Sequence, residues 1–565
     1  MRTKFGKAFN AGMAAVFAVV ALAVSANHVA SAYRAHSTAK AGLQTLRLGY
    51  LENNPKWVPT MDPAQVEDTN SAWVDELVYA GLVALKPNGS VYAYLASHWT
   101  ISKDGKTYTF YIRPTAKFSD GHQITAQDVV FSVRRANSKA TNSSVANYDN
   151  LIVGWDKYNT GKSSSLGIKA LNKSTVQIKL KTRAAYFLAA FTYEINNVLE
   201  QRVVKNQPTG LGGPYLTTSC KANVASGPFK PVCHNGSTSD VTSFYPGGST
   251  PTITLVPNSH FFGKKAHIKI VIPAIDSNQT GYTDLLAGGL DMTPQIPTSY
   301  ITKWQGKKGF IHYPSSFIEY LSLNAKDPPF NNVHCRLAMA YAIDKVTLTQ
   351  KVLHKAYVPL YGMLPRAKGF IGNYSESGLP HYSLAKSKSE LAQCPGGIHV
   401  TYIYRTDTTD RKVSAAALQA MWSAAGIDVK LKGLLRADWL KIIVDNTPLS
   451  KTHTDMAYDD WSADYIDPQD YMYFLFHSGL PQAASGWDNL TYDKLVDKAD
   501  STLSRTQRVK LYTQAQKLLV TQASAIPIDN VGNNDLVKSN VHGFVGNFAL
   551  GVSWAKNNDW SQVGK

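Results

Sequence analysis

One stretch of this sequence concentrates side chains that could recognise a charged group. Residues 458–471 read YDDWSADYIDPQDY, so acids alternate with aromatic side chains. Aromatic walls exclude water, and a carboxylate pairs more strongly with an ammonium where water is excluded, so the stretch predicts a pocket for a cation. Two alternatives stay open from composition alone. One is a calcium loop, although the glycine and distal glutamate of an EF-hand are missing; the other is a solvated acidic loop on a basic protein.

The sequence carries none of the common local signatures of an enzyme. GxSxG, HExxH and GxGxxG motifs are absent. Gly161-Lys162-Ser163 resembles the end of a phosphate-binding loop, but the position of its first glycine is occupied by Asp156. The 15 histidines are scattered without the spacing of a metal site. We therefore predict no catalytic residue, no metal site and no cofactor.

The N-terminus predicts export. Basic residues at positions 2, 4 and 7 precede an apolar run over residues 11–24, and Ala30-Ser31-Ala32 supplies the small residues of a cleavage site. This pattern predicts a signal peptide over residues 1–32. An uncleaved anchor is the alternative, but the apolar run is shorter than the ~20 residues that a spanning helix needs. No cysteine lies just after the apolar run, so we expect no lipid anchor.

The four cysteines predict two disulfide bonds. They are Cys220, Cys233, Cys335 and Cys394, and an even number in an exported chain favours bridges over free thiols. Cys220 and Cys233 are close enough to close a local loop, which leaves Cys335 and Cys394 for a longer bridge. Metal binding is the alternative, but no CxxC or nearby histidine pair supports it.

The net charge of +18 does not predict nucleic-acid binding. Lys and Arg (58 in all) are spread along the chain without a dense basic block. The excess of positive charge reflects the low number of acidic residues, 40, as much as the number of basic ones. We interpret the charge as a diffusely basic exported surface.

The elements that must position these side chains alternate between helix and strand. The length of 565 residues exceeds one hydrophobic core, so we expect two or three α/β domains. We predict one helix from Ser71 to about Leu82 and another that begins with a Thr125–Asp128 capping box. Further helices are predicted over residues 332–343, 413–425 and 503–519. Strands are predicted at residues 46–50, 106–112, 176–180 and 427–431, and the polar segment 142–165 is predicted as a surface excursion.

Several stretches together resemble one family, the solute-binding proteins of ABC importers, in its large peptide- and nickel-binding group. The resemblance runs over nearly all of the chain after residue 32. It is carried by Met61-Asp62-Pro63-Ala64, residues 76–82 with 95–99, residues 107–133 with their Phe118-Ser119-Asp120-Gly121, Ser226-Gly227-Pro228-Phe229, residues 323–344, and the W-x-x-D-Y-x-D-P loop over residues 461–468. One departure is His334-Cys335-Arg336-Leu337, where the family carries Val-Arg-Gln-Ala.

The resemblance implies an α/β, two-lobed periplasmic-binding-protein-like fold (type II, large cluster) with a hinge and an extra inserted domain. Carried onto this chain, domain I takes residues 43–84, 203–305 and 525–565. Domain II, the inserted one, takes residues 85–202, and domain III, the opposing lobe, takes residues 306–524.

The resemblance also implies a function. A monomeric, non-enzymatic receptor closes around a small solute, most simply a peptide, and delivers it to an ABC permease. Asp464 is expected to hold the ligand's α-ammonium, Trp461 and Tyr465 to form walls beside it, and Trp487 to reach the cleft or pack in the core. The alternatives are a non-peptide solute (a nickel chelate, an oligosaccharide or an opine-like compound), an envelope sensor, and an exported hydrolase.

Overall fold

The computed structural model describes most of the chain after residue 42. The described residues are 43–51, 60–66, 68–86, 89–205, 224–232, 252–366, 376, 378–443, 449–480, 484–544 and 559–565. The predicted signal peptide over residues 1–32 and the predicted Cys220–Cys233 bridge lie outside these ranges. Within them, no helix combines the length and the hydropathy needed to cross a membrane.

Strands and helices alternate throughout the described residues, which confirms the mixed α/β prediction. The strands are β1 (Gln44–Arg47), β2 (Tyr50–Leu51), β3 (Val83–Leu85), β4 (Val91–Ala93), β5 (Ala96–Ile101), β6 (Thr107–Ile112), β7 (Ile168–Asn172), β8 (Thr175–Lys179), β9 (Phe229–Pro231), β10 (Thr252–Pro257), β11 (Ile268–Ile275), β12 (Met292–Thr293), β13 (Phe310–Leu323), β14 (Tyr357–Pro359), β15 (His399–Arg405), β16 (Asp428–Leu434), β17 (Met456–Trp461) and β18 (Ala525–Val537).

The helices are mostly short and lie between these strands. They span Thr69–Val78, Ala126–Ala136, Trp155–Asn159, Phe187–Ala190, Gln201–Val204, Asn278–Ala287, Ile301–Trp304, Val333–Tyr341, Lys345–Thr347, Leu384–Leu391, Thr409–Ala424, Arg436–Ile443, Gln469–Phe476, Leu490–Ser501 and Arg505–Thr521.

Three smaller sheets lie in the first half of the described chain, and one of them is the antiparallel pair of β3 and β4. In the five-stranded sheet, β11 pairs in parallel with β1 and β2 and antiparallel with β10, which pairs with β9. Ile268, Ile270 and Ile272 of β11 alternate into the core, as a strand's two-residue period requires. The four-stranded sheet has the order β5-β6-β8-β7. The predicted capping box of Thr125 and Asp128 opens the helix that packs against it.

The largest sheet has seven strands in the order β12-β18-β13-β17-β15-β16, with β14 also on β18. Its two long central strands, β13 and β18, are antiparallel and link separate hydrophobic clusters. Leu536 belongs to one cluster, and Leu321 and Ile526 belong to another. The predicted domain bounds stay a prediction, and this sheet combines strands from segments assigned to domains I and III.

A bulge interrupts the ladder between β13 and β18. Pro314 pairs with Gly532 and Ile318 pairs with Asn530, so residues 315–317 face the single residue Val531. The Asn530 side-chain amide donates to the carbonyl oxygens of residues 315 and 317, at 2.9 and 2.7 Å. These bonds satisfy carbonyl groups that the interrupted ladder leaves unpaired.

Two of the local predictions were wrong. Asp68, not Ser71, caps the first helix, because its Oδ1 accepts from the backbone N–H groups of Asn70 and Ser71 at 3.0 Å each. That helix ends at Val78 because the chain turns into β3. The segment 142–165 is more than a surface excursion, since Val145, Ala146 and Asp149 are buried.

Other helix predictions were confirmed with shifted ends. The helix predicted over residues 332–343 spans Val333–Tyr341, and Asn332 caps it by accepting from the His334 N–H at 2.8 Å. The helix predicted from residue 413 begins at Thr409, because Thr408 accepts from the Arg411 N–H and caps it.

A disulfide joins Cys335 and Cys394, which confirms the longer of the two predicted bridges. Both cysteines are buried, and they are 59 residues apart in sequence. Cys335 lies in the helix Val333–Tyr341 and Cys394 follows the helix Leu384–Leu391. The bridge therefore ties these two packed helices together.

Replacing Cys335 and Cys394 together with alanine is expected to lower the free energy of unfolding by about 2–4 kcal/mol, because an open loop of this length gives the unfolded chain more conformations. Urea denaturation of the oxidised parent and the variant measures the difference. The double variant Cys220→Ala with Cys233→Ala is the control, since it retains the Cys335–Cys394 bridge. An unchanged stability of the Cys335/Cys394 variant would contradict the prediction.

Candidate functional site

Strand β17 carries the acidic and aromatic stretch to the centre of the largest sheet. Residues 456–459 are buried, and Ile318 of β13 pairs with Trp461 at the end of β17. The chain then leaves the sheet through residues 462–468 and enters the helix Gln469–Phe476. We call residues 462–468 the acidic loop. A strand at one end and a helix at the other hold this loop in place.

A buried ion pair anchors the acidic loop on its C-terminal side. Arg508 donates to both carboxylate oxygens of Asp467, at 2.8 and 2.6 Å, and both side chains are less than 5% exposed. Arg508 also donates to the carbonyl of Ala499 at 3.1 Å. Such two-pronged pairs fix geometry as well as charge, so Asp467 positions the loop and is already neutralised by the protein.

Asp470 holds the other side of the loop. Its Oδ2 accepts from the indole Nε1 of Trp461 and from the backbone N–H of Asp464, both at 3.0 Å. Its Oδ1 has no hydrogen-bond partner among the described residues, and the residue is fully buried. Burial, followed by the nearby Asp464 carboxylate, raises the pKa of Asp470 well above its ordinary value.

Asp464 contacts a part of the chain that lies far away in sequence. It is partly buried, and its Oδ2 accepts a hydrogen bond from the hydroxyl of Tyr148, 316 residues earlier. Burial raises the pKa of Asp464 to about 6, and the hydrogen bond from Tyr148 acts in the opposite direction. No ion pair with a basic side chain of the described residues accompanies this carboxylate.

Aromatic rings cluster around Tyr148, whose hydroxyl donates to the Asp464 carboxylate. The Tyr148 ring lies 4.8 Å from the ring of Tyr193, 5.9 Å from that of Tyr465 and 6.1 Å from that of Phe474, centre to centre. Trp461 stacks on Phe474 at 6.4 Å. Tyr465 is buried, and its hydroxyl donates to the side-chain oxygen of Gln469. Trp461 and Tyr465 therefore belong to this aromatic cluster, and their role as walls of a ligand site stays a prediction.

Trp487 has contacts typical of a core residue. It is 8% exposed, its indole donates to the side-chain oxygen of Gln522 at 3.1 Å, and its ring meets the edge of Tyr492 at 5.5 Å. These contacts favour packing over ligand contact for Trp487.

Sequence reasoning missed two residues of this site. Tyr148 lies in the polar segment 142–165, and nothing local in that segment marks it as the partner of a distant acid. Arg508 lies in a helix rich in basic residues, where no pattern singles it out. Asp470 is part of the recognised stretch, but only burial shows its role.

Comparisons with known proteins identify the family. The model for bacterial extracellular solute-binding proteins, family 5 Middle, matches residues 90–481. Because this match spans more than half of the chain, the chain belongs to family 5 of the bacterial extracellular solute-binding proteins. It is accordingly a binding protein rather than an enzyme.

Individual relatives agree over most of their length. OppA, the oligopeptide-binding protein of Bacillus subtilis, is 28% identical over 502 residues, which cover 83% of this chain and 85% of OppA. DdpA, the probable D,D-dipeptide-binding periplasmic protein of Escherichia coli, is 27% identical over 500 residues, covering 86% and 89%. The unliganded open form of the periplasmic murein tripeptide binding protein MppA matches with a TM-score of 0.75 at 23% identity, covering 93% and 98%. This likeness confirms the two-lobed fold.

Asp464→Asn is expected to raise the free energy of unfolding at pH 7 by about 1–3 kcal/mol and to change it little at pH 4. The carboxyl group has a pKa of about 6 in the folded chain against an ordinary 3.8. The folded chain therefore favours the neutral carboxyl group. The burial of Asp464 carries no charge penalty below pH 4, and the penalty develops as the pH rises through about 6 and the group ionises. Asparagine retains an acceptor for Tyr148 without the buried charge. Urea denaturation at the two pH values measures the effect.

The matched control in the same loop is Asp467→Asn, which leaves the buried Arg508 without its counter-charge. We expect this variant to lose about 3–5 kcal/mol at pH 7. Equal destabilisation by both substitutions at pH 7 would contradict this difference, in which Asp467 is neutralised by Arg508 and Asp464 has no counter-charge among the described residues.

Proposed function

We propose that this chain is a peptide receptor that binds the free α-ammonium of its ligand on Asp464 and delivers the peptide to an ABC import permease. The observation that carries the proposal is the Asp464 carboxylate, which accepts a hydrogen bond from Tyr148 in an aromatic cluster and has no basic counter-charge among the described residues. The peptide-binding relatives OppA and DdpA support the choice of ligand.

The charge balance of the acidic loop favours an ammonium. The Asp464 carboxylate is close enough to oppose ionisation of Asp470, whereas Asp467 has its own cation in Arg508. A peptide ammonium offers three donors and one positive charge, which matches a carboxylate that lacks a counter-ion. The surrounding rings exclude water and strengthen that pair.

The Tyr148 hydroxyl donates to Asp464 the kind of hydrogen bond that we propose for the ligand's ammonium. An arriving ammonium must share the carboxylate with Tyr148 or displace it. Trp461 and Tyr465 then provide apolar surface for the first residues of the peptide, and Trp487 remains a core residue.

Closure of the lobes is the second part of the proposal. Tyr148 and Asp464 belong to the segments that we assign to domains II (85–202) and III (306–524), with domain I formed by residues 43–84, 203–305 and 525–565. We place the hinge at strands β13 and β18, where the bulge interrupts their pairing. Ser316, in the bulge, contacts both the acidic loop and the helix that follows it. Its hydroxyl lies 3.3 Å from that of Ser462 in the loop, and its carbonyl accepts a hydrogen bond from Tyr471 in the helix.

We extend the proposal to compartment and assembly. The Cys335–Cys394 bridge suits an oxidising, extracytoplasmic compartment and supports an exported protein. Tyr148, Trp461 and Asp464 all come from one chain, which supports function as a monomer.

Asp464→Asn is expected to weaken binding of a peptide with a free N-terminus by about 2–4 kcal/mol, because the ammonium loses its charged partner inside a desolvated site. Isothermal titration of the parent and the variant with a defined peptide library identifies a ligand and measures the loss. N-terminal acetylation of the same peptide is expected to weaken its binding to the parent by a similar free energy. Acetylation should change binding to Asp464→Asn very little.

Tyr148→Phe is the matched control, since it removes the hydrogen bond to Asp464 and leaves the carboxylate. This variant is expected to retain the preference for a free N-terminus. If acetylation has the same effect on the parent and on Asp464→Asn, the ammonium site lies elsewhere.

A further inference from the structure

Three possible metal ligands come together outside the residues of the Asp464 site. Asp120 and His122 lie on one turn, and Glu200 directly precedes the helix Gln201–Val204. Gly121 between them has a φ of 95°, a conformation that glycine adopts without strain. The His122 backbone N–H donates to Asp120 Oδ1 at 3.1 Å, which sets the relative position of the two side chains.

The spacing of the three side chains suits a single ion. One ligand atom from each of Asp120, His122 and Glu200 lies within 4.8 Å of the other two. His122 Nδ1 is 2.8 Å from Asp120 Oδ2 and 3.8 Å from Glu200 Oε1. Zinc bonds nitrogen and oxygen ligands at about 2.0–2.2 Å, which places neighbouring ligands of a tetrahedral site roughly 3.3 Å apart. Small side-chain movements are therefore sufficient.

Glu200 supplies an independent indication of a cation. Its side chain is 3% exposed, and its Oε2 has no hydrogen-bond partner within the described part of the chain. A buried carboxylate oxygen without a hydrogen-bond partner is costly. A cation at this position would compensate for the lost hydration.

Arg202 interacts with the same groups and neutralises only part of their charge. Its Nη2 donates to Asp120 Oδ2 at 2.6 Å and lies 3.1 Å from His122 Nδ1, and its Nε donates to Glu200 Oε1 at 2.9 Å. One guanidinium faces two carboxylates and an imidazole, so these ligand atoms outnumber the cationic group that contacts them. The Arg202 side chain is 55% exposed and can turn towards solvent.

We propose that Asp120, His122 and Glu200 bind a divalent transition-metal ion of the zinc type, and that Arg202 withdraws when the ion binds. One imidazole and two carboxylates form a ligand set suited to zinc, with water completing the coordination. The bound ion would tie the Asp120–His122 turn to the segment that enters the helix Gln201–Val204. The site is independent of the Asp464 loop and of the proposed peptide ligand.

Isothermal titration of the full chain with zinc chloride, after treatment with a chelator, tests the proposal. The parent is expected to bind one ion at this site, and His122→Ala to bind it at least about tenfold more weakly. Arg202→Ala is expected to bind zinc several-fold more tightly, because it removes the cation that competes for the same oxygens. His122 and Arg202 are both more than half exposed, so neither substitution should disturb folding, which circular dichroism checks.

His334→Ala is the matched control. His334 Nδ1 lies 2.7 Å from Glu390 Oε2, a histidine–carboxylate pair at the surface for which the described residues provide no third ligand. This variant is expected to bind zinc as the parent does. Equal losses in His334→Ala and His122→Ala, no loss in His122→Ala, or weaker binding by Arg202→Ala would each overturn the proposal.

Discussion

The buried carboxylate of Asp470 controls the geometry on which the rest of the site depends. It accepts from the indole of Trp461 and from the backbone of Asp464, so a single group fixes a wall residue and the proposed ligand acid relative to each other. Both bonds are made by groups of the protein itself. Binding to such a preorganised site spends less free energy on ordering side chains.

The three aspartates of this region illustrate how environment divides one residue type into separate tasks. Asp467 is paired with Arg508 and holds the loop, Asp470 is enclosed and shapes it, and Asp464 faces Tyr148 without a basic counter-charge from the described residues. Because the described part of the chain supplies a cation to only one of the three, we expect the loop to favour an incoming positive charge. The diffuse excess of basic residues along the chain does not alter this local balance, since charges beyond a Debye length are screened.

Prediction from sequence succeeded where a signal is local. The Thr125–Asp128 capping box, the helix after Asn332 and the W-x-x-D-Y-x-D-P loop depend on neighbouring residues, and each could be found by pattern. The partners of that loop could not, because Tyr148 and Arg508 reach it only through the tertiary fold. Asp120 and Glu200 show the same limit, since residues 80 positions apart form a cluster that no spacing rule predicts.

The strand order of the largest sheet also bears on how the protein is made. Strand β18 pairs along most of its length with β13, and the contact between Tyr313 and Asp535 joins residues 222 positions apart. The sheet therefore lacks an inner strand until residues 525–537 have emerged from the ribosome. Contacts so distant in sequence form slowly, which leaves a newly made chain time without a completed core. A secretion channel that accepts only unfolded chains would benefit from that delay.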